Sequence, residues 1–353
     1  MALQIGTHDI AALLANRQTT AAQFGLDTIN DVLQADLQAH NAIVDQAMSE
    51  MADMTSDRLR LSGSSAGGDM VEADEYGAAP TQRSAPGSTV GFPLRLYQYA
   101  LGWTRKWLET HTPADMAVAQ LGAEKAHLRG IQRAIKRAIY PSANYTFLDR
   151  LVAPQVELGV KRFANADGAA IPDGPNGESY DASTHTHYLA NATLTAAALL
   201  SLVNTVLEHG ISAGGKIILA ISATDRTAVE ALSGFKAYPD PRVSFVATDV
   251  NRQTIDVTRL DNLAIGTFGA AEVWVKPWAI ANYAVAYEAG GAQKPLVMRT
   301  RSGSSDLQIA AEIADYPLQA KYMEAEFGVG VWNRTAGGVL YFAGGSYTDP
   351  TIT

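Results

Sequence analysis

Four clusters in this 353-residue chain carry residue types and spacings that could do chemistry. His185-Thr186-His187, with Asp181 just before it, sets two imidazoles two positions apart; in a strand these point to one side and could hold a metal ion. Local hydrogen bonding in a polar loop is the commoner use of such residues, so no metal is assigned. Gly63-Ser64-Ser65-Ala66-Gly67 matches the G-x-S-x-G elbow of a hydrolase, which needs a strand before the serine and a helix after it. The run from Gly68 to Gly77 opens no helix, and no histidine or acid is recognisably placed to complete a triad around Ser65. Gly210-Ile211-Ser212-Ala213-Gly214-Gly215-Lys216 nearly matches a phosphate-binding loop, but Ile217 stands where a magnesium-holding Ser or Thr belongs. It also follows a helical pattern and precedes a strand, the reverse of the required order, so a glycine turn at a helix end explains it better. Glu324 and Glu326 share one face of a strand, as a glycosidase pair could. On an exposed sheet such carboxylates meet basic partners, here Lys321, Arg334 or a neighbouring chain. No catalytic constellation and no cofactor site emerges.

Composition narrows the classes further. With no cysteine, disulfide frameworks, thiolate metal sites and cysteine nucleophiles are excluded. The balance of 27 basic against 36 acidic residues has the wrong sign for gripping nucleic acid by charge neutralisation. Any DNA the chain meets is expected to be enclosed, not tightly held. No apolar run approaches the roughly 20 residues of a membrane span, and the opening MALQIGTHDI lacks the layout of a signal peptide. A soluble chain made in the cytoplasm is expected.

The elements that would position these residues read as follows. The first 25 residues suggest an extended arm or a short docked helix, and residues 26–54 a helix with Ile29, Leu33, Val44, Met48 and Met51 on one face. In residues 62–91, 18 of 30 are Ser, Gly, Ala or Pro, too few apolar groups for a core. Strand-like runs at 58–61 and 94–99 flank it, predicting a long two-stranded flap that needs support, most simply from another copy. Thr112-Pro113-Ala114-Asp115 then starts the clearest helix, which ends at Tyr140-Pro141 and should be roughly 40 Å long. Residues 163–190 read as a loop or short hairpin. An α/β pattern follows: a helix over 192–208, a strand over 216–221, a helix over 224–232, and strands over 243–247, 271–276 and 283–287. From 295 onward strands dominate, at 296–300 and 307–313 and in the alternating run 321–332, which turns at 333–338 and returns as 339–342. There is no internal repeat and no heptad pattern.

This order, ending in Glu324-Ala325-Glu326-Phe327-Gly328-Val329-Gly330-Val331-Trp332-Asn333-Arg334, resembles the Hong Kong 97-type capsid proteins of tailed bacteriophages. The resemblance implies an α+β fold divided into an arm and helix (1–55), an extended flap or E-loop (56–105), a peripheral domain with the spine helix (106–160), an axial α/β domain (161–294) and the peripheral domain's closing strands (295–353). It implies a structural virion protein, not an enzyme, which builds hexamers and pentamers of an icosahedral shell around packaged DNA in the host bacterial cytoplasm. Its other partners would be a portal, possible decoration proteins and a separate scaffolding protein, since too few residues precede the flap to supply a scaffold. Encapsulins, cellular compartments of the same fold, are the alternative; a hydrolase using Ser65 is a weaker one.

Under this resemblance the candidate interface residues are Arg58, Arg60, Glu72, Asp74, Glu75 and Arg95 of the flap, Arg129 and Arg133 of the spine helix, and Glu324, Glu326 and Arg334 near the end. The stripe Lys125, Arg129, Arg133, Lys136 and Arg137 is suited to DNA or to the flap acids of an adjacent copy, or is simply solvated. Some family members join a flap lysine to an asparagine of a neighbour; Asn333 resembles the acceptor, but no lysine precedes Lys106. A denaturing gel of assembled particles is therefore expected to show single chains, and a ladder of covalent multimers would overturn this.

Overall fold

The longest helix shows how local sequence sets the frame. Asp115 accepts the backbone N–H and the hydroxyl of Thr112 at 2.9 Å each, Pro113 occupies the first turn, and α5 runs from Pro113 to Ile139. The computed structural model describes residues 9–63, 72, 75, 77, 87–238, 263–292, 294–301 and 306–352. In chain order its elements are α1 (Ile10–Ala15), α2 (Ala21–Phe24), α3 (Leu26–Met48), β1 (Ala52–Thr55), β2 (Leu59–Ser62), β3 (Ser88–Gly91), β4 (Arg95–Thr104), α4 (Arg105–Thr110), α5, β5 (Tyr145–Asp149), β6 (Val156–Val160) and β7 (Tyr188–Ala190). There follow α6 (Ala196–Leu207), β8 (Lys216–Ile221), α7 (Arg226–Glu230), β9 (Phe235–Ala237), β10 (Leu263–Phe268), β11 (Ala271–Val275), β12 (Tyr283–Ala289), β13 (Leu296–Thr300), β14 (Gln308–Asp315), β15 (Leu318–Val331) and β16 (Gly337–Tyr341).

Two sheets organise these elements. A five-stranded sheet runs β1-β13-β15-β14, with β4 along the other side of β15. A seven-stranded sheet has the order β7-β16-β12-β8-β11-β10-β9. One core joins α1, α3, α5 and the five-stranded sheet to one face of the larger sheet. A second lies between α6, whose Leu199, Leu202, Val203 and Val206 are buried, and the other face of the larger sheet. Both faces of β8 and β12 are therefore covered, which explains the apolar runs 217–221 and 283–287 within them.

Four sequence expectations change. Of the two alternatives for the N-terminal segment the docked helix holds, but it docks on its own chain: Leu13 and Ala21 are completely buried in the main core. The helix over 26–54 ends at Met48, because residues 52–55 pair in parallel with β13 and tertiary pairing overrides the helical pattern. The flap's described strands are β2 and β3, paired over four residues, whereas β4 pairs with β15 from Arg95↔Phe327 to Thr104↔Leu318. Stacking of Tyr97 on Phe327, 4.5 Å between centroids, helps set that register. Finally, β16 does not fold back on β15 but crosses into the larger sheet between β12 and β7. Glycine permits this approach: a Cβ at Gly337 would lie 2.5 Å from the Phe163 ring. Residues 295–353 are thus divided between two sheets. The sequence also missed β9 and β10; the strand expected over 243–247 lies outside the described residues.

A polar seam crosses the contact of α3 with α5. Gln120 donates to Leu33 O and Glu124 Oε1 at 3.4 Å each, and His40 Nε2 lies 3.0 Å from His127 Nδ1. Glu124 is 7% exposed, and burial first, then the Asp36 carboxylate, push its carboxyl up to about 7. The folded chain thus holds this proton more tightly than the unfolded one, so ionising Glu124 costs stability as pH rises from about 4.5 to about 7. Glu124→Gln should therefore gain in thermal midpoint relative to wild type between pH 5 and pH 8. A difference that stays constant across that range would contradict the assignment.

Candidate functional site

The flap arginines face inward to their own chain. Asp149, with no exposure, receives Arg299 Nη2 at 2.7 Å and Arg58 Nε at 3.0 Å, and Arg299, 1% exposed, also donates to Phe92 O at 2.8 Å. This cluster ties the start of β2, the end of β3, β5 and β13 together. Arg60 pairs with Asp57 at 3.0 Å and lies 4.8 Å from the Trp332 ring, while Trp332 Nε1 donates to Leu61 O at 3.2 Å. Arg95 lies over Phe147 at 5.0 Å. The flap base therefore rests on its own chain, where sequence reasoning looked to another copy for support. Glu72 and Glu75 are exposed; Asp74 and Ser65 lie outside the described residues.

The remaining candidates separate into buried and open. Arg334 is buried, donating from Nε to Arg162 O at 2.6 Å, from Nη2 to Asn165 Oδ1 at 2.7 Å and from Nη1 to Asp167 at 3.0 Å. Burial opposes charge on Asp167, but Lys161 and Arg334 outweigh it and hold its carboxyl well below the usual range. Arg334 thus fixes the turn into β16 and is no partner of Glu326, which meets Arg301 instead. Lys321 pairs with Glu312 at 3.0 Å, and Glu324 accepts from the Gln98 amide at 3.5 Å, with no ion pair among the described residues. Arg129 is exposed and Arg133 half-buried, and neither forms an ion pair among the described residues.

One open face carries a group of apolar residues that the sequence reading did not single out. Residues paired across strands share a face, so the register places Leu96, Ile313, Leu318 and Tyr322 on one side of β4-β15-β14, beside Gln98, Glu324 and Glu326. All four are exposed, and Tyr316 at the hairpin tip is 83% exposed. Met323, Ala325 and Phe327 on the opposite face are buried. β14 pairs only with β15, leaving a free edge among the described strands. The available signal was Tyr316-Pro317 between two alternating runs, a turn with apolar residues on both sides.

The histidine motif gathers different neighbours from those expected. Asp181 bonds Ser183 within its own loop, while Glu208 and His209, just beyond α6, bring their side chains to His185 and His187. His187 Nδ1 lies 2.7 Å from Gly337 O. Burial, then neighbouring His209, lowers His187 to about 3; burial lowers His209 to about 4 and also lowers His185. The glycine loop runs from helix to strand, as its order predicted, and Ser212 N–H donates to Glu288 Oε1 at 2.9 Å. A phosphate in that loop would meet a carboxylate.

No protein-family model and no curated protein matches the chain. Among solved structures, a chain of Mycobacterium phage Patience superposes with a TM-score of 0.65 at 20% identity, over 99% of this chain and 96% of that one. The two chains share one fold. The mixed α+β fold expected from the order of elements is thus one that a phage chain also has. Weaker likenesses extend to the capsid of a native GTA particle, at TM-score 0.48 and 12% identity over 84% and 89% of the two chains. Another is to Mycobacterium phage Adephagia, at 0.45 and 10% over 94% and 93%.

The arginines make a direct comparison. Arg299→Leu leaves a buried carboxylate short of a partner and should cost about 3 to 5 kcal/mol in urea denaturation of the unassembled chain. Arg60→Leu, at a partly exposed pair, should cost about 1 kcal/mol. Equal losses would contradict the placement of Asp149 as a buried anchor.

Proposed function

We propose that the chain is the structural subunit of an icosahedral virion capsid that assembles from many copies of itself around packaged double-stranded DNA. Two features support this: the fold shared with a phage chain over nearly its whole length, and an apolar strand face with a protruding tyrosine. The second carries the assembly reading. A lone soluble chain gains nothing from exposing Leu96, Ile313, Tyr316, Leu318 and Tyr322 together beside a free edge, whereas a second copy docked there would cover them.

In this reading the fold is of the Hong Kong 97 type. The flap whose base is β2-β3 is the E-loop, α5 with the five-stranded sheet is the peripheral domain, and the seven-stranded sheet with α6 is the axial domain. Copies join as hexamers and pentamers, and many modest contacts sum by multivalency. A net charge of −9 suits a wall that encloses DNA without specific contacts. A separate scaffolding protein, a portal and decoration proteins would act alongside it, with assembly in the host cytoplasm. No enzymatic role is assigned.

Electron microscopy of the purified full chain should show closed particles, and a monomer or small oligomer at every salt and protein concentration would overturn the proposal. Tyr316→Asp combined with Ile313→Asp should reduce assembly at least tenfold while leaving circular dichroism unchanged. Unaltered assembly would show that this face is not the joint. Particles isolated with DNA inside fit a virion, and particles holding a cargo enzyme an encapsulin.

A further inference from the structure

We propose that His185, His187, His209 and Glu208 form a binding site for one divalent transition-metal ion, zinc by ligand class, that pins the loop before β7 to the end of α6.

Geometry carries the inference. The Nε2 atoms of the three histidines lie 3.0, 3.0 and 3.1 Å apart, and their ring centroids lie 5.0 Å apart in every pair. The rings therefore spread outward from a common point with their Nε2 atoms innermost. Hydrogen bonds among these atoms are a poor account of that arrangement. An imidazole nitrogen either carries a proton or offers a lone pair, so three mutual Nε2 contacts cannot all be hydrogen bonds. His187 cannot contribute one at all: its Nδ1 donates to Gly337 O at 2.7 Å, which leaves Nε2 as a bare lone pair aimed inward.

A metal ion satisfies all three lone pairs at once. Zinc binds imidazole nitrogen at about 2.0–2.1 Å, which places neighbouring ligand atoms of a tetrahedron about 3.3 Å apart. The observed spacing is within a few tenths of an ångström of this, and a point about 1 Å above the plane of the nitrogens satisfies that bond length to each. Glu208 Oε1, 3.6 Å from His185 Nε2 and 3.8 Å from His209 Nε2, stands near the fourth corner. Three imidazoles and one carboxylate match zinc, cobalt or nickel and not magnesium or calcium, which prefer oxygen. The surroundings also suit a held ion. Tyr180 covers the imidazoles, its ring centroid 4.3 Å from that of His209, and its hydroxyl donates to Glu208 O at 2.7 Å. Glu208 is partly exposed and offers an entry side.

The ligands come from two short segments some twenty residues apart, and through Gly337 they touch β16. A bound ion would stabilise the folded chain by mass action and lock the edge of the seven-stranded sheet. This does not depend on the shell reading.

The test uses the untagged full chain, stripped with a chelator and titrated with zinc chloride by calorimetry. One ion per chain is expected, with a raised thermal midpoint, no response to magnesium at the same concentration, and a tetrahedral visible spectrum with cobalt. His185→Gln, at a partly exposed loop position, should weaken zinc binding at least tenfold, and Glu208→Gln should weaken it less. Failure of the folded wild-type chain to bind zinc stoichiometrically would overturn the site, as would equal zinc binding by wild type and His185→Gln.

Discussion

A carboxylate with no exposure to water cannot stay charged without partners, and Asp149 finds two, in Arg299 and Arg58. Those partners come from elements far apart in sequence: β13 from the five-stranded sheet, the start of β2 at the flap base, and β5, which holds the acid. Arg299 adds Phe92 O just beyond β3. Gly91 then lies so close to β6 that a Cβ there would come within 2.8 Å of Leu158. One buried charge therefore fixes how the flap, a small hairpin and the main sheet meet. A buried ion pair is weak evidence for added stability. Here its effect is geometric, because Arg299 and Arg58 reach the same carboxylate oxygen from two different elements.

The same contrast divides the surface from the interior. Arginines that looked like intersubunit contacts are held by their own chain: Arg58 by Asp149, Arg60 by Asp57 and Trp332, Arg334 by Asp167 and backbone carbonyls. Among the exposed residues are apolar ones in 313–322 and at Leu96. These charges position the chain's own elements, and the apolar face of β4-β15-β14 is left uncovered among the described residues.

Much of the architecture was legible because it was written locally. The Thr112-Pro113-Asp115 start fixed α5, the alternation of Met323, Ala325 and Phe327 fixed the inward side of β15, and the apolar run at 217–221 marked β8. What was not legible was pairing. Period says that residues 94–99 are extended, not that they lie along β15 instead of β2, and nothing local told β16 to leave β15 for the other sheet. That choice depends on Gly337 fitting against Phe163 and on Arg334 reaching Asp167. The histidine cluster was half visible for the same reason: His185 and His187 stood together in sequence, but Glu208 and His209 reach them only through the fold.

β15 also has a mechanical side. Its fourteen residues span roughly 46 Å, with β4 and β14 flanking its outer half and β13 its inner end. Its far end is wedged, since a side chain at Gly328 would strike Pro93 and one at Gly330 would strike Phe92. Tyr316 sits at one end of this beam and Trp332, which grips the flap base, at the other. A strand held along both sides resists bending, so this beam keeps the tyrosine end and the flap base at a fixed separation.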